Sequence, residues 1–267
     1  MLNEDKNSLG LDRDVVGRLK DAMKSGPEEL LAFLQDPVAD VVKAAIRNPL
    51  LKESHVLTLL KRRDLPEDIL RAIWNSRIAR ENHPVKVAIA HHPGTPAAQL
   101  SEVLPFLYLF DLVTLCVLPG IAHDQKIAAE RAIIRRLPAT PLGNKITLAH
   151  RATAAVVEHL LKESDSRVMM ACLDNSQLKE GMIFQFLRSS DSTPEAISMI
   201  ARHPRWKNIP SLKYAILTNP KTPLIWFTQW LTALKSAEIR NIYNSQRLNQ
   251  MQRREVLAEL KRRDNSR

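Results

Sequence analysis

Apolar residues fall at Val85, Ala88 and Ile89, and again at Leu212, Ala215 and Ile216. That i, i+3, i+4 spacing is one buried face of a short helix. Each run closes on a polar residue followed by proline, His92-Pro93 and Asn219-Pro220. The residue before a proline is pushed away from helical geometry, and proline lacks the N–H that would continue the ladder, so both helices are predicted to stop there. Thr95-Pro96 and Thr222-Pro223 then predict a restart, with the threonine as N-cap and the proline at the first helical position. The predicted unit is helix, tight turn, capped helix.

The two runs are copies. VKVAIAHHPGTP, 85–96, and LKYAILTNPKTP, 212–223, agree at six of twelve positions at a separation of 127 residues. The match continues without a gap through Leu104 and Leu231, Asp111 and Glu238, Leu115 and Ile242, Ile133 and Leu260, and Arg135-Arg136 with Arg262-Arg263. Related blocks are thus predicted at 85–136 and 212–263. Weaker relatives lie at 41–60, 167–187 and 196–210, where Asn48, Asn175 and His203 take the turn position. Their uneven intervals predict irregular repeats. Alternating strand patterns are scarce, and the expected fold is all-α, an irregular α-solenoid of short helical repeats over 37–267, behind an acidic N-terminal helical cap over 1–36.

VKVAIAHHPGTPAAQL and LKYAILTNPKTPLIWF resemble leucine-rich repeat variant units of HEAT-like bacterial proteins, which join a short Val/Ala-rich helix, Asn-Pro, Thr-Pro and a Leu-containing helix. The resemblance implies a right-handed superhelical stack and no reaction. Some members carry a cysteine-bound iron–sulfur module; Cys116 and Cys172 are too few for one.

Charge adds a direction to this picture. The chain has 39 Lys and Arg against 29 Asp and Glu, a formal net of +10. Residues 1–36 hold five basic and eight acidic side chains, whereas 205–267 hold thirteen basic and four acidic, and 91–125 has no Lys or Arg. A basic surface favours nucleic acid, an anionic membrane or an acidic protein. The greasiest stretch, VLPFLYLFDLVTLCVLPGIA at 103–122, is broken by Asp111 and Pro119-Gly120 and reads as buried helices, so no integral membrane association is expected. The N-terminus lacks a signal-peptide pattern, and a cytoplasmic location is expected.

Candidate chemistry is thin. His91 and His92 read as helix-end caps, because their counterparts are Thr218 and Asn219 and a metal site would not survive that exchange. His150 and His159 are nine residues apart, which places them on opposite faces of one continuous helix. No catalytic constellation, metal site or cofactor is expected. Trp226 and Trp230, at i, i+4, read either as core or as a recognition platform. Arg205, Trp206 and Lys207 suggest an exposed ring flanked by cations, and Arg253, Arg254, Lys261, Arg262 and Arg263 a positive outer face on a terminal cap. Docking residues for that cap are Leu248, Met251, Val256, Leu257 and Leu260. Trp226, Trp230, Arg205, Trp206, Lys207 and the basic residues of the cap are the ten candidate partner-binding residues. The expected function is a nonenzymatic protein-binding or assembly scaffold for an unidentified protein or protein assembly; the alternative is an RNA- or DNA-binding α-solenoid using its basic C-terminal region.

Overall fold

The computed structural model describes residues 13–163 and 165–265, so residues 1–12 of the expected N-terminal cap lie outside the described residues. Among the described residues there are α-helices and short 3₁₀ turns but no strand. No described helix is long and apolar enough to cross a membrane. The chain divides into two compact units between Arg135 and Arg136.

The duplication is far more extensive than the block legible in the sequence. In the first unit helices begin at Pro27, Ala39, Glu53, Glu67, His83, Ala97, Leu109 and His123; in the second they begin at Ala154, Ser166, Glu180, Pro194, Pro210, Leu224, Ser236 and Gln250. Every pair is 127 residues apart. The 3₁₀ turns Leu104–Phe106 and Leu231–Ala233 keep the same offset. Within each unit a helix packs chiefly on its second neighbour: Arg13–Lys24 on Ala39–Ile46, that helix on Glu67–Asn75, and likewise Leu142–Arg151 on Ser166–Asp174. This next-but-one packing is a helical-repeat arrangement.

The predicted stripes are the core. Val85 and Ile89 are fully buried, as are Leu212 and, to within 1%, Ile216. In the second unit Leu217, Phe227, Leu231, Ile239, Ile242 and Val256 form one cluster, with Trp230, Tyr243, Leu248 and Leu260 against its edge. Each such aliphatic side chain contributes about 1.5–3 kcal/mol when fully buried. Val256, Leu248 and Leu260 therefore dock as expected, while Met251 and Leu257 face outward.

Three local expectations are corrected. Thr95 and Thr222 do not cap the following helices; their hydroxyls donate backward to the carbonyls of Ile89 and Ile216 at 2.6 and 2.5 Å, and Pro96 and Pro223 take the N-cap positions. The threonine closes the old helix because the prolines place an extended residue before the new one. His150 and His159 lie on separate helices, Leu142–Arg151 and Ala154–Leu160, because the chain turns at Ala152 and Thr153 between them. Finally, the greasy stretch 103–122 is only partly interior: Phe106, Tyr108 and Val117 are exposed.

Candidate functional site

The polar turn residues explain themselves geometrically. Asn48 Oδ1 accepts the Leu50 N–H, Asn175 Oδ1 that of Gln177 and Asn219 Oδ1 that of Lys221, the Asx turn that carries the chain past the helix end. Each amide nitrogen then reaches back to the preceding repeat. Asn48 Nδ2 donates to the Ala22 and Ser25 carbonyls at 2.9 and 3.1 Å, and Asn175 Nδ2 to those of Ala149 and Ala152 at 2.6 and 3.2 Å. Histidine reproduces both functions: the Gly94 N–H donates to His92 Nδ1 at 3.1 Å while Nε2–H donates to the Arg62 carbonyl at 2.6 Å. His203 accepts from the Arg205 N–H through Nδ1 and meets Asp174 at 3.1 Å through Nε2. With both ring nitrogens of His92 and His203 engaged, neither has a lone pair to offer a metal. Among the described residues no group of three His, Cys, Asp or Glu side chains is placed to hold one.

His91 differs from its neighbour. Its Nε2 is buried without a hydrogen-bond partner, and burial lowers its pKa from the ordinary value, opposed by the nearby Asp111 carboxylate. Burial likewise pushes the Cys116 and Cys172 thiols up to about 12.

The ten candidate partner-binding residues divide. The exposed ring expected at Trp206 is corrected: it is only 4% exposed, and its Nε1–H donates to the Leu173 carbonyl at 2.9 Å. Arg205 lies over that ring at 4.2 Å and donates to the Asn175 and Leu178 carbonyls at 2.8 and 2.9 Å. Trp226 is buried and donates to Ser198 Oγ; it meets the half-buried Trp230 at 5.1 Å, with Lys213 over the latter at 5.7 Å. Arg263 donates to the Leu234, Leu231 and Thr232 carbonyls and pairs with Glu259 at 2.7 Å, and Arg262 shares the same carboxylate. Burial opposes the charge on Glu259, but the hydrogen bonds from Arg263 and Arg262 outweigh it and hold the carboxyl below its usual range. Lys207, Arg253, Arg254 and Lys261 are exposed, Arg253 lying over the Tyr243 ring at 5.2 Å.

Two features went unread in the sequence. One is an outward-facing aromatic patch on the first unit. Phe106 is 56% and Tyr108 68% exposed. Phe106 packs on Trp74 with ring centres 5.8 Å apart, Lys86 lies over its ring, and Tyr108 stacks on His83 at 4.0 Å. His83 meets Asp111 at 2.8 Å and Trp74 Nε1–H donates to Glu102. The signal was present in LPFLYLF, whose length exceeds what one helix face can bury. The other is an open cavity of about 480 Å³ between the turns at Ile46–Leu51 and Asn75–Ile78, with Arg47 and Arg77 at its edge. Pair spacing gave no signal for a void.

Compared with known proteins, the chain matches no family model, no curated sequence and no solved structure.

Proposed function

We propose that the chain is a nonenzymatic protein-binding or assembly scaffold built from two stretches of α-solenoid, the right-handed sense being that implied by the leucine-rich repeat variant resemblance. The observation that carries this reading is the Trp74, His83, Phe106 and Tyr108 patch. Its two most exposed rings, Phe106 and Tyr108, lie in the 91–125 stretch that has no Lys or Arg, and the patch is supported by Glu102 and Asp111 as well as by Lys86, a composition that favours a protein contact over a phosphate contact. The turn histidines and asparagines are spent on joining repeats, which supports a structural use for the chain's most reactive-looking motif.

The test is isolation from native cells under gentle conditions. A stoichiometric partner is expected, lost from a Phe106→Ala/Tyr108→Ala variant that keeps its thermal midpoint. A strictly solitary protein would count against the reading.

A second reading, RNA or DNA binding, is favoured by one observation: Lys207, Arg253, Arg254 and Lys261 stay exposed in the basic second unit. Phosphate contacts make binding steeply salt-dependent. Titration with unstructured RNA and duplex DNA at several salt concentrations tests it, and absence of binding at low salt would exclude it.

A further inference from the structure

The internal duplication supplies a comparison within one chain. In the second unit Arg205 and Trp206 close the turn of the preceding repeat: the guanidinium takes the Asn175 and Leu178 carbonyls, and the indole takes that of Leu173. The matching residues of the first unit, 127 positions earlier, are Ile78 and Ala79, and the matching carbonyls are those of Asn48, Leu51 and Ile46. The surrounding turn is the same in kind: the Lys207 N–H donates to the His203 carbonyl, and the Arg80 N–H to that of Ser76. Yet among the described residues no side chain donates to the carbonyls of Ile46, Asn48 or Leu51. This is where the cavity of about 480 Å³ lies, lined by Ile46, Asn48, Leu51 and Ile78.

Several comparable turns are closed by a side-chain nitrogen donor from roughly thirty residues later. Asn48 serves Ala22 and Ser25, His92 serves Arg62, and Gln125 serves His92 and Thr95. In the second unit Asn175, Arg205, Lys221 and Gln252 do the same. The Asn48–Leu51 turn lacks such a donor: its Asn48 carbonyl accepts the Leu51 N–H at 3.1 Å but, unlike that of Asn175, no side chain among the described residues, and backbone carbonyls in a concave site are strong acceptors.

We infer that this cavity is a binding site for an arginine side chain of a protein partner, the guanidinium occupying the place that Arg205 fills in the second unit. The planar fork of donors fits a set of carbonyls that a compact ammonium cannot bridge equally well. The cavity edge says what accompanies the arginine. Asp174 in the second unit is replaced by Arg47 in the first, and Arg77 stands beside it. A bare cationic peptide is repelled there, so the arginine that binds is flanked by acidic residues, whose carboxylates meet Arg47 and Arg77. This inference rests on the reading of the chain as a partner-binding protein and names the chemistry of one contact.

The probe is the peptide acetyl-Glu-Asp-Arg-Asp-Glu-amide, titrated into the ¹⁵N-labelled full chain while the amide signals of residues 46–48, 50, 51 and 76–80 are followed. Saturable shifts at those amides are expected, with at least tenfold weaker binding when the peptide's arginine is alanine. Ile78→Arg/Ala79→Trp, which gives the first unit the second unit's own plug, is expected to fold and to abolish the shifts. Should that variant not fold, Arg47→Glu/Arg77→Glu changes exposed positions and is expected to lose the acidic peptide. Equal binding of the alanine peptide, equal binding to the plugged variant, or absence of shifts would overturn the site. Shifts of the same amides by guanosine monophosphate but not by the peptide would also overturn it, in favour of a nucleotide. If the peptide fails while Phe106→Ala/Tyr108→Ala still abolishes partner capture, the arginine site falls and the scaffold reading stands.

Discussion

Gln125 and Gln252 are 127 residues apart and perform one task in two places. Gln125 Nε2 donates to the His92 and Thr95 carbonyls at 3.2 and 3.1 Å, and Gln252 Nε2 to those of Asn219 and Thr222 at 3.1 and 2.9 Å. Both glutamines are at most 1% exposed. A buried amide of this kind fastens the last repeat of a unit onto the turn before it. Gln252→Leu keeps most of the volume but strands those acceptors, a loss of about 1–3 kcal/mol. Urea unfolding checks this, and an unchanged midpoint would show that water replaces the amide at no cost.

Asn175→Asp is expected to be worse than Asn175→Ala. The carboxylate still accepts the Gln177 N–H, but its second oxygen then faces the Ala149 and Ala152 carbonyls, acceptor against acceptor. Parallel thermal melts of the two variants at pH 7 give the order directly.

The cations divide into fasteners and free charges. Arg263→Ala removes charge-assisted bonds to three carbonyls and is expected to cost about 1.5–3 kcal/mol. Arg254→Ala should leave stability within about 0.5 kcal/mol, as exposed substitutions commonly do. If Arg254→Ala proved the more damaging, the hydrogen-bonding assignment of Arg263 would be wrong.

His91 makes stability depend on pH with a definite sign. Its folded pKa lies below the unfolded value because burial disfavours the imidazolium, so the unfolded chain binds the extra proton first. The contribution is complete above the unfolded value of about 6.5 and is lost as pH falls below it. His91→Thr, the residue found at Thr218, should flatten the stability profile between pH 7 and 5. A slope identical to that of the parent chain would exclude His91 as its source.

Both thiols should be silent toward a disulfide reagent at pH 8, since burial places their pKa values at about 12. Two thiols per chain are expected to react on unfolding.

The short-range grammar was legible. Val85, Ala88 and Ile89, with proline after His92, specified a helix, its buried face and its end without any tertiary information. The 127-residue period was visible only where the copies stayed alike. Asn48 and Asn175 already obey it, but reading successive turn residues in order mixed different repeats within a unit and made the spacing look irregular. The candidate surfaces were harder for a physical reason. Trp206 and Phe106 are both large rings in short turns, and their opposite fates depend on what occupies the neighbouring repeat: the Leu173 carbonyl and Arg205 draw one inward, while Trp74 supports the other from beneath. Cavities escape pattern reading altogether, since Ile78 and Ala79 are unremarkable apolar residues until set against Arg205 and Trp206.

The backward reach of the turn donors also sets a clock for synthesis. Ala22 and Ser25 wait for Asn48, His92 waits for Gln125, and Asn219 waits for Gln252. At roughly 5–20 residues per second, each turn is left open to water for a time on the order of seconds before its closing residue emerges. Each of these three turns therefore closes only after the repeat that follows it has been made, and a ribosome stalled inside that repeat leaves the turn unlatched.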